Sequence, residues 1–223
     1  MSKVKLIGIT QSVVPEVPTV NDLLAYVARV SNPSNQLNTE TAPKLLKYLV
    51  KHQHWSPFEM ASMTVEINTT RDIARQILRH RSFSFQEFSQ RYARADDLGF
   101  EFREARLQDQ KNRQASLETT DRELCDIWEN KQIEVLKAVK NAYTWALANG
   151  IAKEQARAVL PEGITHSRLY MAGTIRSWIH YCLLRTDPGT QKEHREVAQD
   201  CLNILTDQFP ALKEVLSIET GNL

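Results

Sequence analysis

One stretch limits the possible architectures more than any other. From Leu124 to Leu147, apolar residues fall at Leu124, Ile127, Trp128, Val135, Val139, Tyr143 and Ala146, and Asn149-Gly150 closes the run. That is the spacing of one helical face with a glycine stop. Such a helix is roughly 36 Å long at 1.5 Å per residue, so the rest of the chain must assemble beside it. Shorter helical patterns cover 22–31 (Leu23, Leu24, Val27, Val30), Ala42–Val50 (Leu45, Leu46, Leu49), 152–160, 171–185 and 191–208. Pro161, Pro188 and Pro210 stand near their ends. Strand signals come early: the apolar, β-branched Val4–Ile9, then Met63, Val65 and Ile67 alternating with Thr64, Glu66 and Asn68. Thr69-x-x-Asp72 has the form of a capping box opening a helix with Ile73, Ile77 and Leu78 on its apolar side. The expected fold is α+β, a helix-rich single domain over residues 1–223 with a small, mostly antiparallel sheet. No G-x-G-x-x-G follows a strand, so a Rossmann unit is not expected. The charge-rich, weakly periodic stretch 94–122 reads as a solvated loop or frayed helix; a flap over a site is the sharper reading.

Composition excludes several classes. A 42% hydrophobic and 25% charged chain of 223 residues can bury a core without disulfides or a metal. The three cysteines, Cys125, Cys182 and Cys201, form no C-x-x-C pair and fit core positions. His52-x-His54 with Glu59 lacks a third histidine at ligand spacing, so no metal is expected. His166 and His194 are expected on the surface. No apolar run approaches the roughly 20 residues of a bilayer span, and the N-terminus lacks a signal peptide's apolar core. A cytoplasmic protein without membrane partners is expected.

The net charge of +1 is unevenly spread. Residues 71–94 hold Arg71, Arg75, Arg79, Arg81, Arg91 and Arg94 against Asp72 and Glu87, so this segment carries +4 and the remainder −3. Arg71, Arg75 and Arg79 recur every four positions and on a helix would form one ridge. Lysine is absent, and the guanidinium fork is the side chain that binds phosphate bidentately. Phe83, Phe85, Phe88 and Tyr92 are interleaved with Ser82, Ser84, Ser89 and Gln86. Arginine, aromatic and hydroxyl groups together suit a phosphorylated, flat, heteroaromatic ligand: a nucleotide, a flavin or single-stranded nucleic acid.

Arg79-His80-Arg81, seven residues, then Ser89-Gln90-Arg91 resembles the R-H-R-x7-S motif of the flavin-dependent thymidylate synthases. His54-Trp-Ser-Pro-Phe-Glu59, Ala156-Arg157-Ala-Val-Leu-Pro161 and Arg176-Ser-Trp-Ile-His180-Tyr-Cys-Leu-Leu-Arg185 resemble further family segments, in order, over roughly residues 20–208. The resemblance implies conversion of dUMP to dTMP, with methylenetetrahydrofolate as carbon donor and NADPH as reductant through FAD. It also implies a homotetramer whose sites draw on several subunits, acting on small molecules rather than nucleic acid. Carried over residue by residue, dUMP would contact Gln76, Arg79, Glu87, Ser89, Arg91, Arg157 and Arg185. FAD would contact Ser56, Arg79, His80, Arg81, Glu87, Thr174, Arg176 and His180.

The residues suit that chemistry. No cysteine stands beside the arginines or at a helix N-terminus, where its thiol would be activated, and the flavin-dependent route needs no enzyme thiolate. Ser89 lacks an evident His-Asp relay and reads as a hydrogen-bond donor to the nucleotide. Arginine cannot act as a base at neutral pH, so Arg185, the expected catalytic residue, would work electrostatically on the pyrimidine. Arg176 and Arg185 are nine residues apart, half a turn round an ideal helix, which points them at different ligands. His54 is expected near flavin or folate. The alternative function is a single-stranded RNA- or nucleotide-binding module using residues 71–94.

Overall fold

The computed structural model describes residues 3–219, with side chains through residue 216. The chain groups into two compact units. One comprises the chain up to Ile67, His80–Phe85, and the chain from Tyr170 onward; the other comprises Asn68–Arg79 and Gln86–Leu169.

In the first unit, β1 (Val4–Ile9) pairs antiparallel with β2 (Ser62–Thr70), Val4 opposite Ile67 and Ile9 opposite Met63, with a bulge between Leu6 and Gly8. Between them lie α1 (Val20–Ala28) and α2 (Ala42–Lys51). Thr19 opens α1 in a reciprocal capping box with Asp22. This helix ends three residues short of the expected 31, and Val30, counted on its apolar face, lies outside it and is 70% exposed. The expected Met63, Val65 and Ile67 face of β2 is wholly buried.

The sequence pattern misplaced the next elements. β6 (His166–Thr174) occupies the start of the expected 171–185 helix, which begins only at α6 (Ile175–Arg185). In β6, Ser167, Leu169 and Met171 point inward while Arg168 and Tyr170 point out. A serine inside and a tyrosine outside blur the alternation that would have marked it as a strand. The sheet order is β1-β2-β6-β3, the last strand being Ser84–Glu87. α6 packs against α7 (Lys192–Gln208), and α7 against β1. A 3-10 turn over Pro210–Leu212 leads to α8 (Lys213–Glu219). Trp178, Ile179, Val197, Leu205 and Phe209 fill this core, and the Trp178 indole N–H donates to the Met63 carbonyl at 2.9 Å. Gly173 faces the Phe83 ring so closely that an added Cβ would sit 2.5 Å from it.

In the second unit, α3 (Arg71–Ile77) is only seven residues long. Its N-cap is Thr70, not Thr69, and no side-chain capping bond forms: the Thr70 hydroxyl donates instead to Asp72 at 2.5 Å. β3 (Ser84–Glu87) follows. Residues 94–122 are more ordered than a solvated loop, with a 3-10 turn at Ala95–Leu98 and a hairpin of β4 (Arg106–Gln108) and β5 (Ser116–Glu118). Gln132 pins this stretch, accepting from the Arg103 N–H at 2.7 Å and donating to its carbonyl at 2.9 Å. The long helix is α4 (Arg122–Ala148), capped by Asp121 and stopped at Asn149, with Gly150 at φ 75°. α5 is a single turn (Lys153–Ala156) running into a 3-10 turn at Arg157–Val159, where a continuous 152–160 helix was expected. Tyr143, Ala146, Ala95 and Ala156 form a small core, yet Ile127, Trp128, Val135 and Trp145 on α4 remain exposed. Among the described residues no helix is long and apolar enough to cross a membrane.

Candidate functional site

The arginine ridge is broken by the short helix. α3 ends at Ile77 with Leu78 as its cap, so Arg79 lies beyond it and shares no helical face with Arg71 and Arg75. Carboxylates then answer most of the segment, two of them from distant sequence. Arg71 meets Glu87 at 3.4 Å, Arg75 meets Glu162, Arg91 meets Glu154 at 3.5 Å, and Arg94 meets Asp96 at 2.7 Å. Asp96 is held below the usual carboxylate range by its hydrogen bond to Arg94. Arg79 and Arg81 are exposed and, among the described residues, have no side-chain hydrogen bond or ion pair. These two flank His80.

Within the second unit, Gln76 is half-buried on α3, and Glu87 at the end of β3 accepts from the Ser167 hydroxyl at 2.7 Å. Ser89 sits in the turn after β3 with an exposed side chain. Arg157 is half-buried at the start of its 3-10 turn, its guanidinium without a partner among the described residues. The expected dUMP contacts therefore all lie in this unit except Arg185. Tyr92 is exposed, but Phe83, belonging to the first unit, is core: its ring packs on Trp178 at 4.8 Å. Phe83 is thus lost as a stacking platform.

Within the first unit, Ser56 opens a 3-10 turn (Ser56–Glu59) beside a cleft of about 490 Å³ that Tyr26, Pro57 and Met60 also line. Thr174 is the N-cap of α6, its hydroxyl accepting from the Ser177 N–H at 3.3 Å. Arg176 is ion-paired with Glu59. The His180 ring stands against Trp55 with centroids 4.6 Å apart, and burial, then the Arg176 charge, hold its imidazole below the usual range. Tyr48, His52 and His54 cluster at the end of α2, with Tyr48 and His52 ring centroids 4.2 Å apart. Gln53 between the two histidines adopts φ 57°, a left-handed conformation uncommon for a residue with a Cβ.

Arg185, the last residue of α6, is half-buried and donates from Nε to His80 Nε2 at 3.0 Å. It makes no ion pair among the described residues. Burial, then the Arg185 charge, hold the His80 imidazole below the usual histidine range. Arg176 and Arg185 thus have separate partners, Glu59 and His80. Cys182 and Cys201 are buried with thiols pushed far up by burial, unsuited to nucleophilic attack, while Cys125, half-buried, stands at the N-terminus of α4, where no cysteine was expected, because that helix begins at Arg122.

Sequence reasoning missed four residues of this region. Trp55 and Glu59 lay inside a motif already noted. Tyr181 was passed over, and His194 was expected on the surface but is fully buried. Its signal was the periodicity of α7: His194 precedes Val197, Ala198, Cys201 and Leu205 on the buried face.

Comparison with known proteins places this geometry in context. The family model described as thymidylate synthase complementing protein matches residues 12–211. A probable flavin-dependent thymidylate synthase of Paramecium bursaria Chlorella virus 1 is 50% identical over 212 residues, covering 95% of this chain and 97% of the relative. A flavin-dependent thymidylate synthase of Synechocystis is 50% identical over 194 residues, covering 87% and 88%. Among solved structures, the UMP/dUMP methylase PolB of Streptomyces cacaoi bound with 5-Br dUMP aligns with a TM-score of 0.77 at 26% identity, over 95% of this chain and 94% of that one.

Proposed function

This chain belongs to the thymidylate synthase complementing protein family, that of the flavin-dependent thymidylate synthases, and on that premise we propose how its residues make dTMP from dUMP. The enzyme is a flavin-dependent methyltransferase. The proposal adds FAD as the flavin, methylenetetrahydrofolate as carbon donor and NADPH as reductant, all within one functional domain of a cytoplasmic homotetramer.

The observation that carries the site reading is the uneven neutralisation of arginine. Four arginines of segment 71–94 meet carboxylates, whereas Arg79 and Arg81 do not, and Arg185 meets a neutral imidazole. Exposed guanidiniums without acids are the donors a phosphate needs. The residues present fit a flavin: Arg79 and Arg81 offer free forks, Ser56 opens onto an apolar cleft, and Trp55 with His180 offers ring faces. Arg79, His80, Arg81, Ser56, Glu87, Thr174, Arg176 and His180 would hold it. Bound FAD would supply the reducing equivalents taken from NADPH. Thr174 and Arg176 already serve as a cap and an ion pair, so each would contact FAD through its remaining hydrogen-bonding capacity.

The dUMP phosphate would lie on Arg79, with Gln76, Glu87, Ser89, Arg91 and Arg157 fixing the nucleotide. Arg91 would exchange its long contact with Glu154 for the ligand. With no thiolate to activate the ring, C5 must gain electron density otherwise. A guanidinium beside uracil N3 and O4 stabilises the deprotonated, enolate-like pyrimidine, and the interaction strengthens as that charge develops. Arg185 would fill this role with its full charge. His54, exposed beside Tyr48 and His52, would meet the folate or flavin ring.

For the tetramer, the support is the apolar side of α4. Ile127, Trp128, Val135 and Trp145 are 43–62% exposed, as are Leu107 and Leu117 (48% and 49%), directly paired across the β4–β5 hairpin. Exposed apolar groups of this size on one chain invite burial by copies of itself. Light scattering after gel filtration should give four chains; a monomer would refute it. The activity is tested by tritium release from C5-labelled dUMP. Release dependent on methylenetetrahydrofolate, from a yellow protein bleached by NADPH, is expected. A colourless protein without release would overturn the reading. The nucleic-acid alternative is weakened because Phe83 is core and four arginines are ion-paired.

A further inference from the structure

Behind Arg185 lies a buried set of neutral polar groups. Arginine only donates hydrogen bonds, so the His80 Nε2 that accepts from Arg185 must be the bare ring nitrogen. The His80 ring stands edge-on to Tyr181, with centroids 4.9 Å apart and planes at 84°. The Tyr181 hydroxyl lies 3.1 Å from Nε2 of His194, and both residues are buried. His80 and His194 ring centroids are 6.2 Å apart.

Every titratable group in this set is neutral near pH 7 except Arg185. Burial, then Arg185, then His80 push the His194 imidazole down to about 3, and burial pushes the Tyr181 phenol well up. Cys182 on α6 and Cys201 on α7, which flank Tyr181, are protonated thiols. A buried phenol–imidazole bond adds little net stability, and apolar side chains could fill the same volume. They could not fix a hydroxyl, and through it the ring against which His80 rests.

We infer that Tyr181 and His194 are positioning residues: their hydrogen bond fixes the ring that holds His80 edge-on, keeping its bare Nε2 on Arg185 so that the guanidinium is oriented without being neutralised. The inference rests on the role given above to Arg185. An imidazole that turns over offers Nδ1–H instead of a lone pair and releases Arg185. Protonating His80 has the same effect and adds repulsion.

The test uses flavin-loaded enzyme, with kcat expressed per bound flavin. Tyr181→Phe keeps the ring and removes the hydroxyl. It should lower kcat about tenfold, leave KM for dUMP within twofold, and move the acid limb of the kcat profile to higher pH as His80 becomes easier to protonate. His194→Gln, whose amide can still accept from the phenol, should recover most of the activity. An unchanged kcat per flavin and acid limb in Tyr181→Phe would overturn the inference, as would an equal loss in His194→Gln with normal flavin loading. Imidazole ¹⁵N NMR of the protein without dUMP gives a readout independent of turnover. The His80 Nε2 signal should be that of a bare nitrogen in the parent and exchange-averaged in Tyr181→Phe; identical spectra would overturn the inference. If the parent makes no dTMP while the NMR contrast holds, the assigned function fails and the positioning survives.

Discussion

The two compact units treat most of their arginines differently. In the unit containing α4, Arg71, Arg75, Arg91, Arg94 and Arg103 each meet a carboxylate, and Arg79 and Arg157, both expected dUMP contacts, are exceptions among the described residues. In the other, Arg185 is held by the His80 imidazole and Arg81 by nothing among the described residues, with Arg176 on Glu59 the exception. A carboxylate orients a guanidinium and cancels its charge; a neutral lone pair orients it and leaves the charge whole. The pairing that suits an architectural arginine is therefore the wrong one for an arginine that must stabilise a developing anion.

The strongest challenge to this contrast is Arg185→Ala. Turnover should fall about 10²–10³-fold, the usual cost of a lost charge-stabilising donor, while the visible spectrum still reports bound flavin. Normal turnover would erase the distinction. Arg79→Ala comes next: loss of a charge-assisted contact of about 1.5–3 kcal/mol should weaken both dUMP and flavin roughly 10- to 100-fold, measured by calorimetry and flavin fluorescence. Unaltered affinities would show that an unpaired arginine is not thereby a ligand.

Gly173→Ala tests how the His80–Phe85 segment is held. A methyl group 2.5 Å from the Phe83 ring should cost about 1–3 kcal/mol by overpacking, seen as a lower urea midpoint. Acid should also find His80 and His194. Both His80 and His194 have folded-state pKa values below the ordinary 6.5, so the unfolded chain binds more protons there. Their contribution is present above about pH 6.5 and is lost as pH falls below it, for His194 down to about 3. The His194 proton alone gives a slope of up to about 1.4 kcal/mol per pH unit. Denaturation at stepped pH should show a shallower slope in His194→Leu. The smallest effect belongs to Arg94→Ala, an arginine already answered by Asp96: dUMP affinity should change by less than twofold.

Much of the architecture was legible because local rules and tertiary packing agreed. α4 and its Asn149-Gly150 stop, the β1 strand, the α2 helix and the inward face of β2 all follow from periodicity. β6 was missed because its buried Ser167 and outward Tyr170 contradict the pattern, and α3 was overextended because Leu78 and Arg79 fit a helical repeat that the backbone abandons. For the site, the motif named Arg79, His80 and Arg81, but counting acids along the segment could not reveal that Glu162 and Glu154 answer Arg75 and Arg91 from about 60–90 residues away.

The order of residues alone determined the helix-rich class, the dense arginine segment and the family motif, since composition, period and spacing are properties of a string. Only the folded chain decided which guanidiniums keep their charge, because neutralisation depends on which side chain arrives within a few ångströms and on how much water remains there. His194 shows the difference: a polar letter in the sequence, it becomes a neutral, buried acceptor or donor once α7 packs against α6.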